Sequence, residues 1–168
     1  MKKSIHRLFF MTLLLFATAA SAQTLEQIRW MDFEKLSDTL QTHPKKVLIS
    51  FHTEWCTYCK KMNKEVYTDP EIIKIINEDY YAVQFDAESQ DSVFFDGQLF
   101  INSKSTKRRK AFHDLALILG SRNGQFTVPV TLMLKPNFEL LHARYHYLDR
   151  KTLKRLILSL DMAETTVK

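Results

Sequence analysis

The sequence predicts an α/β sandwich with a central mixed sheet, and three observations carry that expectation. Two short β-branched apolar runs, KVLISFH and YYAVQFDA, are separated by helical patterns and read as parallel strands joined by helices. Two later runs, VTLMLK and FELLHARYHY, follow each other closely, as the strands of an antiparallel hairpin do. An amphipathic pattern after Asp149 then supplies a closing helix through Leu160.

The elements follow in chain order. Residues 1–22, MKKSIHRLFFMTLLLFATAASA, have the form of a secretory signal peptide. Lys2, Lys3 and Arg7 charge its start, Leu8 to Ala17 is an apolar run short for a bilayer span, and Ala20-Ser21-Ala22 is an A-x-A cleavage site. Cleavage after Ala22 is expected, leaving residues 23–168 as one domain. No cysteine stands at that site to take a lipid. Removing the leader lowers the basic count from 24 to 21 against 19 acidic side chains, so the basic balance of the whole chain says little about partners.

Asp32 to Leu40 carries Phe33, Leu36 and Leu40 at helical spacing and stops before His43-Pro44. KVLISFH is the first strand and breaks at Thr53-Glu54. A helix follows Cys56, with Tyr58, Met62 and Val66 on its apolar side. Asp69 caps the next helix, Pro70 is its first residue, and Ile72, Ile73, Ile75 and Ile76 are its apolar content as far as Asp79. After the strand YYAVQFDA comes an insert over about 88–110, in which Asp96-Gly97 between apolar runs reads as a hairpin turn. Its residues Val93, Phe94, Phe95, Leu99, Phe100 and Ile101 are expected to form a hairpin covering a sheet edge, the alternative being a lid or a docking surface for a partner. AFHDLALILG is a short helix with a Gly stop, and the last two strands and the closing helix complete the order.

Several chemistries are excluded. With three glycines in the chain there is no Gly-rich phosphate cradle. The basic cluster Lys104, Lys107, Arg108, Arg109 and Lys110 has no aromatic residue between its charges, and it reads as a solvated loop rather than a nucleic-acid patch. The only two cysteines, Cys56 and Cys59 in EWCTYCKK, lack the second pair that structural zinc requires. His142 and His146 have i, i+4 spacing but fall in a strand, and His113 stands alone on a helix, so no metal is expected.

The cysteine pair is better suited to redox work. In an exported protein disulfides persist, yet so small a loop removes little unfolded-state entropy, which makes a poor staple. The pair lies where a buried strand ends and a helix begins. There the unpaired N–H groups of the first turn, and the positive end of the dipole, stabilise a thiolate. Cys56 is then the attacking sulfur, and Cys59, one turn on, resolves the mixed disulfide.

FHTEWCTYCKKM, with Trp55 before the first cysteine, resembles the active-site segment of the thioredoxin family. Val128-Pro129-Val130-Thr131, ahead of LMLK, matches the family's cis-proline position. The likeness runs from about Trp30 to Leu160 and is greatest to exported bacterial thioredoxin-like proteins and disulfide-reductase domains. It implies a thioredoxin-like α/β/α sandwich with a short hairpin-like insert, located in the periplasm. It also implies Cys56 as nucleophile, Cys59 as resolving thiol, Trp55 as a shield, and Thr57-Tyr58 tuning the thiolate. Val128 would pair with a substrate strand beside a cis Pro129. Disulfide-containing protein substrates and an electron donor, a membrane-embedded reductase being the candidate, are the implied partners; no dissociable cofactor is needed, and a monomer is expected.

Three departures accompany the resemblance. A buried strand aspartate of thioredoxins falls at Ser50 and its lysine partner at Gln84, leaving His52 and Glu54 as candidate substitutes. Thr57-Tyr58 replaces Gly-Pro, and the 88–110 insert is added. A binding module that holds partners in the Trp55, Tyr58 and Pro129 groove without turnover is the alternative reading.

Overall fold

The structure, a computed structural model, describes residues 26–106 and 110–166, with side chains as far as Met162. The leader and the basic residues 107–109 lie outside the described residues.

Among the described residues twelve elements follow in order: β1 Trp30–Met31, α1 Phe33–Thr42, β2 Lys46–His52, α2 Thr57–Glu65, α3 Pro70–Asp79, β3 Tyr80–Asp86, β4 Val93–Phe95, β5 Gln98–Phe100, α4 Asp114–Gly120, β6 Val130–Leu134, β7 Leu140–Arg144 and α5 Arg150–Thr166. Five strands form one sheet in the order β1-β3-β2-β6-β7, and β4-β5 make a separate two-stranded sheet. β1 and β2 run parallel to β3, whereas β6 is antiparallel to both β2 and β7. This is the mixed α/β sandwich that the pattern predicts.

Strand alternation divides the core in two. Val47, Ile49 and Phe51 of β2, with Val83, Val130 and Leu132, face α1, α4 and the hairpin. Leu48, Ala82 and Met133 face α2, α3 and α5, which contribute Met62, Ile72, Ile76, Leu153 and Ile157. Local signals set the helix starts. Asp32 accepts from Lys35 N at 2.7 Å, and Asp69 accepts from Glu71 N and Ile72 N ahead of Pro70.

Four expectations change. β1 is an additional strand; it is two residues long and exists by pairing Trp30 and Met31 with Ala82 and Val83. The hairpin turns at Asp96-Gly97, with φ of 50° and 75°, but does not cover a sheet edge. Its strands pair with each other, Phe94 N donates to Glu34 Oε1 of α1 at 2.9 Å, and the hairpin lies over the α1 face, where Phe95 meets Phe33 at 5.0 Å and Phe138 at 4.9 Å between ring centroids. Tyr58, expected on the apolar side of α2, is 61% exposed, because a residue in the first turn projects past the end of the sheet. His113 is not on α4 but caps it: it is fully buried, its Nδ1 accepts from Leu115 N, and its Nε2 bonds Asp91 O.

Candidate active site

β2 ends at His52, and the chain turns through Thr53, Glu54 and Trp55 to place Cys56 at the N-cap of α2. Thr53 O accepts from Cys56 N at 3.2 Å, and Cys56 O accepts from Lys60 N at 3.1 Å. Cys56 and Cys59 are joined as a disulfide, with Cα atoms 5.2 Å apart. Cys56 Sγ also accepts from Cys59 N at 3.1 Å, so one sulfur serves both the bridge and the cap. That backbone N–H and the dipole behind it stabilise negative charge on Cys56 when the bridge opens. Both cysteines are 4% exposed.

The neighbouring side chains lie outside. Trp55 is 60% exposed, and its indole N–H donates to Glu88 Oε1 at 3.1 Å. Glu88 Oε2 is buried without a hydrogen bond, and Lys110 Nζ lies 4.0 Å from it. The same Lys110 reaches Glu54 Oε2 at 3.4 Å, so both ends of the insert fasten the loop before the cysteines. Thr57 is exposed, and Tyr58 rests its ring 5.9 Å from Tyr147, over which Lys61 Nζ sits at 5.0 Å.

Val128 and Pro129 arrive from the other side. Phe51 pairs with Val130, which brings the start of β6 alongside the end of β2 and so beside the cysteine loop. Pro129 is buried, Val128 is half-buried, and the peptide bond between them is cis. Topology therefore gathers Trp55, Cys56, Thr57, Tyr58, Cys59, Val128 and Pro129 at one end of the sheet.

Beneath α2 the departures become concrete. Ser50 and Gln84 are register partners on the face covered by α2. Gln84 Nε2 donates to Asn63 Oδ1 at 2.7 Å, and the buried Ser50 hydroxyl accepts from Tyr67 Oη at 3.2 Å. Burial holds the Tyr67 phenol above its ordinary pKa, partly offset by the Ser50 and Thr131 hydroxyls. Thr131 Oγ1 has no hydrogen bond of good geometry. Of the two candidate substitutes for a buried acid, Glu54 is at the surface with its side chain 79% exposed. His52 is half-buried, and its Nδ1 has no hydrogen-bond partner.

Sequence reasoning missed Glu88, Lys110, Tyr147 and Tyr67. Each acts across long sequence separation (33 residues for Trp55 and Glu88, 17 for Ser50 and Tyr67), and no local spacing marks such pairs. Among the described residues there is no group of three or more His, Cys, Asp or Glu side chains placed to hold a metal.

A family model described as "Thioredoxin-like" matches residues 29–136. No curated protein matches the sequence. Among solved structures the chain is similar to a DsbH oxidoreductase, at 12% identity and a TM-score of 0.56, over 85% of this chain and 92% of that one. It is also similar to a thioredoxin from Thermus thermophilus, at 20% identity and a TM-score of 0.54, over 79% of this chain and 87% of that one. These likenesses speak to the fold.

Proposed function

The chain belongs to the thioredoxin-like family, and on that premise we propose that it is an exported thiol–disulfide oxidoreductase that reduces or exchanges disulfides in protein substrates. The observation that carries this reading is the Cys56 sulfur at the cap of α2, accepting a backbone N–H beside an exposed Trp55 and Tyr58. In the reduced protein the Cys56 thiolate attacks one sulfur of a substrate disulfide. A Cys56–substrate bond forms and the other substrate sulfur leaves as a thiolate. Cys59, deprotonated, then attacks Cys56 Sγ, releases the second substrate thiolate and closes the Cys56–Cys59 bridge. Two electrons pass from the protein dithiol to the substrate.

The groove between Trp55, Thr57, Tyr58 and the Val128-Pro129 strand entry receives the substrate in this reading. An electron donor outside the chain, of the membrane-embedded reductase kind, returns Cys56–Cys59 to the dithiol. The signal-like residues 1–22 support export to a periplasm, with residues 23–168 as the mature domain. The short hairpin insert, in place of a helical domain, favours reduction over strong oxidation.

Replacing Cys59→Ser tests the reading. The variant is expected to accumulate substrates as mixed disulfides on Cys56, released by dithiothreitol and absent in Cys56→Ser. Partners retained non-covalently, and equally by both variants, would instead support a binding module.

A further inference from the structure

Cys59 can resolve a mixed disulfide only as a thiolate, and a thiol buried in apolar surroundings has its pKa raised. Its residue is 4% exposed and faces the sheet, so its proton needs a route out. The layer between α2 and the sheet is mostly apolar, built from Leu48, Met62, Val66, Ala82 and Met133, with the Gln84–Asn63 bond at its margin. Within it lie three buried hydroxyls: Ser50 on β2, Thr131 opposite it on β6, and Tyr67 just beyond α2. Their level follows from the packing. Met62 and Val66 share one apolar cluster with Leu48. Cys59 is one turn nearer the start of the helix, and Ser50 is two residues nearer the matching end of β2, about 6.6 Å along the strand. By this register Ser50 lies level with the Cys59–Met62 turn.

Tyr67 leads away from that point. Its hydroxyl bonds Ser50, and Tyr67 is among the residues lining a cleft of about 590 Å³, which Trp30, Asn63 and Gln84 also line and which neither cysteine lines. Glu26 is a charged residue lining this cleft, and Lys46 and His52 along β2, Tyr80 and Asp86 along β3, and His142 and Arg144 on β7 are titratable or charged residues at register positions of the same face.

We propose that the Tyr67–Ser50 hydroxyl pair relays the proton that Cys59 loses, delivering it to water in the cleft. The inference rests on the exchange chemistry proposed above. Each hydroxyl is both donor and acceptor. The Tyr67 hydroxyl, which at rest donates to Ser50 Oγ, first turns toward the cleft; the Cys59 proton then passes to Ser50 Oγ as the Ser50 proton moves to Tyr67 Oη and the Tyr67 proton moves to a cleft water. The sum is thiol plus water giving thiolate plus hydronium, with no electron transferred. Burial keeps the phenol protonated, which a relay requires. Tyr67 and Ser50 are positioning residues for Cys59; they form no bond to substrate.

Stopped-flow reaction of the reduced protein with 5,5′-dithiobis(2-nitrobenzoate) separates the two steps. The first release of coloured thiolate reports attack by Cys56 and the second reports resolution by Cys59. Tyr67→Phe and Ser50→Ala are each expected to slow the second phase about tenfold at pH 7, below the roughly 10²–10⁴-fold of a directly acting acid or base. The first phase should be unchanged, and the defect should vanish at a pH high enough to ionise Cys59 unaided. Ser50→Asp in the Tyr67→Phe background should restore the second phase. An unchanged second phase in both variants, or slowing equal at every pH, overturns the relay. So does His52→Asn if it alone produces the pH-dependent defect, because the route would then run through the imidazole. Should Tyr67→Phe fail to fold, Ser50→Ala decides. Failure of the exchange reading looks different: the unaltered protein would show no first phase.

Discussion

Cys56 holds a bond to Cys59 and a backbone N–H with the same sulfur, so substitutions there separate chemistry from structure. Serine is among the best N-cap residues and keeps an acceptor in place, whereas alanine does not. Cys56→Ser is therefore expected to match the reduced protein in urea stability within about 0.5 kcal/mol, and Cys56→Ala to fall about 1 kcal/mol below it. Both should be inert toward disulfides. Asp69 is a second cap that can be read by pH. Burial pushes its carboxyl upward, but the Ile72 N–H, Lys154 and the Glu71 N–H outweigh that and hold it below the usual carboxylate range. A depressed folded pKa stabilises the protein above the unfolded value near 4, and the contribution is lost as pH falls through the folded value. Asp69→Ala should cost about 1 kcal/mol at neutral pH, with a penalty that shrinks toward pH 3. A penalty independent of pH in urea melts would mean the carboxylate charge plays no part.

Elements with local instructions were legible. KVLISFH matches β2 to the residue, and the Asp69-Pro70 start of α3 was found because cap and first turn are encoded within four residues. β1 was not, since its two residues borrow their strand character from β3. The hairpin was legible as a turn, because Asp96 and Gly97 occupy positive φ, but its location is set by Phe95 against Phe33 and Phe138. A different constraint ends α4. A Cβ on Gly120 would lie 2.7 Å from Phe126 Cε2 and 3.3 Å from Phe51 Cδ2. Both rings belong to the packed α1 face, so Gly120→Ala is expected to cost about 1–3 kcal/mol through overpacking. Phe126→Leu in the same chain should recover part of that loss in thermal melts; no recovery would place the strain elsewhere.

Across the whole molecule, the cysteine loop, the strand entry at Pro129 and the insert converge at one end of a five-stranded sheet whose two faces are filled by separate apolar clusters. The cysteines and their setting were legible because a strand-to-helix junction is a local pattern. The ring of support was not: Glu88 and Lys110 fasten the loop from the insert, and Tyr67 meets Ser50 through the core. The proposal that this end of the molecule exchanges electrons is most directly tested by equilibrating the protein in graded dithiol and glutathione buffers and titrating Cys56–Cys59. A reversible two-electron transition nearer the roughly −270 mV of thioredoxin than the roughly −120 mV of a strong oxidant is the expected result. A pair that stays locked across the whole range would contradict it.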